Sequence, residues 1–223
     1  MPRTSRLRAF VDADVLASPV PRTLLYLARP LSDYELVYSP HVEAEATRHQ
    51  KTGHVPVADL RRRFDWTLVQ NAPTGLAMED TDPKDRPILA DAVAAGAVFV
   101  VTRNVRHFGV PDLARYEIGA VHPGLFLAHH ITAAVYHEVL DAVAANRQRA
   151  PRDPRTIHET EVASELPALF DAHRELFGPA GLSAVHAPPS VVIKGPRCIR
   201  CAQLTATDPA GLCPQCAVPH PDP

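Results

Sequence analysis

Cysteine is missing from residues 1–197, and all four cysteines lie in the last 26 residues. A disulfide framework spread through a secreted core is excluded by that layout, which instead describes one local site in a reducing cytosol. Lysine is scarce too, at positions 51, 84 and 194 only. Arginine supplies the other cations; it can fork onto phosphate oxygens, although a GC-rich coding bias produces the same excess. No apolar run approaches the roughly 20 residues that a bilayer span needs. The basic start, Met1 to Arg8, is followed by no long apolar segment with a small-residue cleavage site, so a signal peptide is not expected. The formal charge of −2 gives no global attraction to nucleic acid. Internal repeats are absent. A cytoplasmic protein with no membrane partner is the expectation.

What is present is an alternation of strand-like and helix-like runs. Leu7–Val11, Glu35–Tyr38, Trp66–Val69, Ala97–Val101 and Ile118–Val121 read as strands. Helices are expected over Arg22–Ala28, from Pro40 behind a Ser39 cap, over Val57–Phe64, from Asp82 to Ala95, and over Pro123–His130. Gly96 stops the Asp82 helix and the next strand follows almost at once, which is half of a βαβ unit. An α/β fold with a central parallel sheet flanked by helices follows. Residues 1–128 form the expected first domain. Residues 129–179 read as a helical extension packing on it, with Val135, Val139, Leu140 and Val143 on one face and Leu169, Phe170, His173 and Leu176 on another. Residues 180–196, rich in Pro, Ala and Gly, read as a linker, and 197–219 as a small cysteine module.

Ligands bind beyond the carboxyl ends of strands in open α/β sheets. Asp12 ends the first strand, and an Asp there is costly unless it is paired, bound to metal, or used as a helix cap. Asp14 shares its face if the strand continues. Glu45 lies beside the apolar Val42–Ala46 pair on its helix, so it is better placed than Glu43 to turn inward; a solvated helix charge is the competing reading. Asp85 stands near a helix start, where the dipole alone favours a carboxylate. Asn104 follows the Ala97–Val101 strand and on its own marks only a turn. Carboxylates brought together repel unless a hard cation neutralises them.

The ordered set carries more weight than its members. Phe10-Val-Asp12-Ala-Asp14-Val-Leu, then Ser39-Pro-His-Val-Glu-Ala-Glu45, then Asp85-Arg-Pro-Ile-Leu-Ala90-Asp-Ala92, then Val101-Thr102-Arg-Asn104-Val-Arg-His107-Phe108, resembles the PIN-domain nucleases and, within them, the bacterial toxin (VapC-like) branch. Val121-His-Pro123-Gly-Leu-Phe126-Leu127 and the helices behind it resemble the end of that domain in one subgroup, so the likeness spans roughly residues 7–178. The resemblance implies an endoribonuclease that cleaves single-stranded RNA with Mg2+ or Mn2+. Asp12, Glu45 and Asp85 would be metal ligands and Asn104 a fourth catalytic residue, at a place often held by Asp. His107 stands where an acidic residue is frequent, and Thr102 at a hydroxyl position near the site. Arg103 and Arg106 are candidate phosphate clamps. The implied partners are an RNA substrate, an antitoxin protein and a second copy in a homodimer.

Cys198-Ile-Arg-Cys201 and Cys213-Pro-Gln-Cys216, with 11 residues between them, have the spacing of one tetrahedral four-cysteine site for a structural Zn2+, as in zinc ribbons. Asp208-Pro-Ala-Gly211 would be the turn between two arms. A redox CxxC needs a βαβ context that this tail lacks. The tail has Arg197 and Arg200 but no aromatic residue for base stacking. Besides the toxin nuclease, two functions stay open: a non-catalytic RNA- or protein-binding scaffold on the same fold, and a housekeeping RNA-processing nuclease.

Overall fold

Five short apolar runs dictate the architecture. In the computed structural model, which describes residues 6–51, 53–64, 67–73, 76–178 and 192–217, β1 (Leu7–Val11), β2 (Tyr34–Tyr38), β3 (Thr67–Leu68), β4 (Phe99–Val101) and β5 (Gly119–Val121) pair in parallel. A sixth strand, β6 (Ile193–Lys194), pairs antiparallel with β5, and the sheet order is β3-β2-β1-β4-β5-β6. β4 and β5 are buried throughout, as strands covered on both faces must be, which is why they read as unbroken apolar runs.

The crossovers are helical. α1 (Ala13–Ala17) and α2 (Pro19–Ala28), with a 3-10 turn at Arg29–Leu31, lead to β2; α3 (Pro40–His49) and α4 (Val57–Phe64) lead to β3; α5 (Arg86–Ala94) leads to β4. α3 starts as its sequence requires, with Pro40 in its first turn and the Ser39 hydroxyl accepting the Val42 N–H at 3.3 Å. α5 ends at a residue with left-handed backbone, Gly96 (φ +64°), beyond which the Ala97 N–H reaches back to the Ala92 carbonyl at 3.0 Å. A 3-10 turn at Val105–His107 and α6 (Val110–Arg115) lead to β5, and α7 (Pro123–His130) follows it.

α8 (Ala133–Asn146) packs on α2, and Tyr136, Val139, Leu140 and Val143 are buried there. The chain then passes through α9 (Pro154–Ile157), a π turn at His158–Val162, α10 (Ala163–Glu165) and α11 (Pro167–Ala172), which packs on α7. One apolar cluster runs through all of these elements and includes Ile199. Three expectations need correction. The Asp82 helix starts only at Arg86, because residues 83–85 form a turn. The last helix stops at Ala172, so His173 and Leu176 lie in turns; His173 still stacks on Tyr136 at 5.0 Å. Within the stretch read as a linker, Ile193–Lys194 form β6. Residues 180–191 of that stretch, Trp66, and residues 218–219 of the cysteine module lie outside the described residues. Among the described residues no helix is long and apolar enough to cross a membrane. α12 (Pro214–Ala217) closes the described chain.

His158 is 1% exposed and shares a 2.9 Å hydrogen bond between its Nδ1 and the Tyr136 hydroxyl. Burial, and then the charge of His173, depress its pKa to about 4. A depressed imidazole contributes stability that is complete above about pH 6.5 and is lost as pH falls towards 4, because the unfolded chain takes up the proton first. The stability difference between wild type and His158→Phe should therefore narrow by roughly 1–3 kcal/mol between pH 6.5 and pH 4. Urea unfolding midpoints of both proteins across that range check this; a constant difference would mean that the imidazole is not held neutral by the fold.

Candidate metal centre

The sheet order reverses direction between β1 and β4: β2 and β3 lie to one side, β5 and β6 to the other. Crevices for ligands open at such a switch point, at the carboxyl ends of the strands. Asp12 follows β1, and its backbone N–H donates to the Val101 carbonyl at the end of β4 at 3.0 Å. Its side chain is 5% exposed; Oδ1 accepts from the Ala13 N–H at 2.6 Å and Oδ2 from the Thr102 hydroxyl at 2.7 Å. Asp12 is thus both the cap of α1 and a buried carboxylate between the ends of β1 and β4. Burial raises its pKa to about 6 against those two hydrogen bonds, and the charges of Asp85 and Glu45 add to the rise. Asp14 is raised as well, by burial and by Asp12, while its carboxylate accepts the Arg103 N–H at 3.1 Å.

Asp85 occupies the cap position of α5 yet makes no capping hydrogen bond. Its Oδ2 instead lies 3.0 Å from His107 Nδ1. Burial raises its pKa; His107 opposes this, and the charges of Asp82 and Glu45 reinforce it. Glu45 is half-buried, 3.9 Å from His41 Nε2, and its charge reaches both Asp12 and Asp85. Glu43 turns to Arg61 instead. Asn104 caps the 3-10 turn with no side-chain capping bond, and its N–H donates to the Thr102 hydroxyl at 3.0 Å. The Thr102 hydroxyl therefore joins the ends of β1 and β4. The Arg103 guanidinium donates to the Ser18 hydroxyl at 2.8 Å, and Arg106 is exposed beside His107.

Asp12, Glu45 and Asp85 act on one another electrostatically, but they do not form the tightest set. Among the described residues, two groups place three or more ligand atoms within 4.8 Å of one another: Asp82, Asp85 and His107, and the four cysteines. Asp82 escapes a sequence reading because an Asp before Pro normally only makes a turn; its fall beside His107 depends on the turn at 83–85. That turn is held from below. Asp112 is 1% exposed and accepts the N–H groups of Glu79, Asp80 and Thr81 at 3.2, 3.0 and 2.8 Å. Burial alone would raise its pKa, but these donors win and lower it.

Both donor sets fit metals. Several carboxylates with mutually raised proton affinity need positive charge, and hard oxygen donors suit Mg2+ or Mn2+; an imidazole in the set favours Mn2+. At the cysteines, Cys201 Sγ and Cys213 Sγ are 3.8 Å apart, matching the edge of about 3.8 Å that Zn–S bonds of ~2.3 Å give a tetrahedron. Burial opposes ionisation of Cys198, but the N–H groups of Cys201, Cys213 and Arg200 outweigh it and bring its thiol to about 6, while the neighbouring sulfur of Cys213 pushes Cys216 up to about 12. Four crowded sulfurs cannot all ionise without a cation. The two-armed ribbon expectation is met only in part: the first arm has an antiparallel bridge between Arg197 and Leu204, and the second knuckle is the short helix α12.

A cleft of about 1210 Å³ runs from Ser18 and Arg103 to α8 and the π turn, with Lys51, Arg63 and Arg147 on its walls.

Among curated proteins, the chain is 31% identical over 149 residues to one named "Putative ribonuclease VapC50" from Mycobacterium tuberculosis, an alignment covering 56% of this chain and 86% of that protein. No family model matches the chain, and no solved structure matches it.

Replacing Asp112 by Ala would leave the Thr81 N–H buried without its acceptor and take the same acceptor from the part-buried N–H groups of Glu79 and Asp80. We expect a loss of about 3 kcal/mol or more in urea unfolding, together with weaker Mn2+ binding, because the turn bearing Asp82 and Asp85 loses its support. Unchanged unfolding midpoints would rule that support out.

Proposed function

The chain belongs to the VapC family of PIN-domain ribonucleases, and from that premise we propose that it is a Mg2+- or Mn2+-dependent endoribonuclease for single-stranded RNA, the toxin half of a toxin–antitoxin pair. One observation carries the reading: the carboxylates of Asp12 and Asp85, from separate elements, both have raised proton affinity, and the charge of Glu45 contributes to each. A relative named a ribonuclease supports it.

A bound Mg2+ or Mn2+ supplies charge neutralisation at the scissile phosphate and acidifies the attacking water. Asp12, Asp85 and Glu45 would hold it, with Asp82 and His107 completing the set around Asp85. Thr102 keeps the Asp12 carboxylate turned into the crevice. Asn104, neutral at the strand end, orients water or a phosphate oxygen without adding charge. Arg103 and Arg106 face the RNA backbone, and the cleft beyond Arg103 offers Lys51 and Arg63 to further phosphates. His107 in place of an acidic residue lowers the negative charge and shifts the preference towards Mn2+. The antitoxin protein and a homodimer are partners carried over from the family.

The cysteine module would hold one structural Zn2+ through Cys198, Cys201, Cys213 and Cys216. Residues 1–128, 129–179 and 197–219 are proposed as nuclease domain, helical extension and zinc module.

Purified protein should cleave unstructured RNA with Mn2+ and lose at least about a hundredfold in rate in Asp12→Asn and in Asp85→Asn, with circular dichroism unchanged. A rate preserved in both variants would remove the proposed site, and no cleavage by metal-loaded wild type across varied RNAs would favour a binding scaffold. Metal analysis should find one zinc per chain, reduced in Cys213→Ser. Zinc-free wild type with an ordered tail would end the structural-zinc assignment.

A further inference from the structure

The cysteine module does not hang free of the crevice. β6 pairs with β5, Val121 opposite Ile193 and Ala120 opposite Lys194, and the His122 N–H donates to the Val192 carbonyl at 2.8 Å. Gly195 (φ +101°) passes so close to the strand before it that a Cβ there would sit 2.6 Å from the Ile118 carbonyl oxygen. Arg197 Nε then donates to the Glu117 carbonyl at 2.6 Å, and Ile199 is fully buried in the main core. On the module's side, the Ile199 N–H donates to the Gly211 carbonyl at 2.8 Å, and a Cβ on Gly211 would meet the Ile193 side chain at 2.5 Å. The loop between the two cysteine knuckles therefore rests directly on β6.

From β6, Lys194 reaches the 3-10 turn that carries His107. Its Nζ donates to the Arg106 carbonyl at 2.9 Å and to the Phe108 carbonyl at 3.0 Å. Those two carbonyls bracket His107, whose Nδ1 lies 3.0 Å from Asp85 Oδ2 and whose own carbonyl accepts the Asp82 N–H at 2.9 Å. An ammonium bridging two carbonyls two residues apart clamps the turn between them. We infer that Lys194 is a positioning residue for the metal-binding turn Asp82–Asp85–His107, and that the cysteine module holds it in place, so that order at the soft-metal site is transmitted through β6 to the hydrolytic site. The inference rests on the nuclease reading only for its consequence in catalysis; the ordering itself does not need cleavage to be seen.

The test uses the full-length, zinc-loaded protein with Lys194→Met, which keeps the aliphatic stem, and Lys194→Arg, which keeps donors. Hydrogen exchange at the amides of Asp82, His107 and Phe108 should speed up by about tenfold in Lys194→Met and stay within about threefold of wild type in Lys194→Arg. Mn2+ affinity, titrated without RNA, should fall by about fivefold to tenfold in Lys194→Met. Releasing zinc from the wild type with an organomercurial should reproduce both changes. Exchange and Mn2+ affinity unaltered in Lys194→Met overturn the positioning role. Changes in Lys194→Met that zinc release fails to reproduce overturn the coupling to the module. RNA cleavage absent from wild type, with these responses intact, refutes the nuclease reading and leaves the positioning role standing.

Discussion

A carboxylate buried at the end of a parallel strand is the constraint on which this molecule turns. Asp12 sits where β1 gives way to α1, almost out of water, with a raised affinity for protons. Two donors make that burial tolerable: the Ala13 N–H, offered by the start of α1, and the Thr102 hydroxyl, offered by the end of β4. Both depend on register. Val11 stands opposite Val101, and a one-residue slip would turn Thr102 to the other face of the sheet and strand the carboxylate. Pairing of β1 with β4 and solvation of the site's central charge are thus a single requirement.

The second half of the site is built on different principles. Asp82, Asp85 and His107 belong to loops and helix ends, which no sheet register fixes. Buried and part-buried hydrogen bonds hold them instead. Asp112, lowered in pKa by its donors, gathers residues 79–81, and the Thr81 hydroxyl accepts the Gly109 N–H at 3.1 Å, tying that loop to the one carrying His107. A charged acceptor taking three N–H groups in a dry setting is stronger than neutral bonds would be. The acidic turn is thereby presented against the rigid β1–β4 edge, although its own backbone is irregular.

Much of this was legible in the chain. β4 and β5 were written as unbroken apolar runs, since burial on both faces removes polar alternation, and β1 and β2 as mostly apolar ones; β3, at the sheet edge, is half exposed. Ser39-Pro40 and Gly96 punctuate helices for local steric reasons that hold in any context. The order of Asp12, Glu45, Asp85 and Asn104 was readable as a set because the strand ends and helix starts were. What escaped depends on long-range contact. Asp82 closes the 83–85 turn locally, its carbonyl accepting the Asp85 N–H at 2.8 Å, but it meets His107 only because its own N–H donates to the His107 carbonyl at 2.9 Å, far along the chain. Two residues of a Pro- and Gly-rich stretch become β6 because the open edge of β5 offers unpaired backbone groups, and a short segment of any composition can satisfy them. α11 ends at Ala172 because His173 leaves the helical backbone (φ −124°, ψ 27°), a break that the helical spacing continued by His173 and Leu176 does not announce.

Two metal-seeking sites in one chain raise the question of how each would receive its own ion. First-row affinity alone would send Zn2+ to either. Donor chemistry separates them. Four clustered sulfurs, one already acidified by backbone N–H groups, are soft donors that suit Zn2+ better than a hydrated Mg2+. The carboxylates of Asp82 and Asp85 are hard donors, more open to solvent than Asp12, and suit an ion that keeps waters of its own. Filling the sulfur site first would both satisfy the tighter-binding ion and brace β6 against β5, so that the oxygen site is completed on an already ordered sheet. Through β6 and the Lys194 bonds to the carbonyls on either side of His107, the small tail is tied to the turn that carries the acidic cluster.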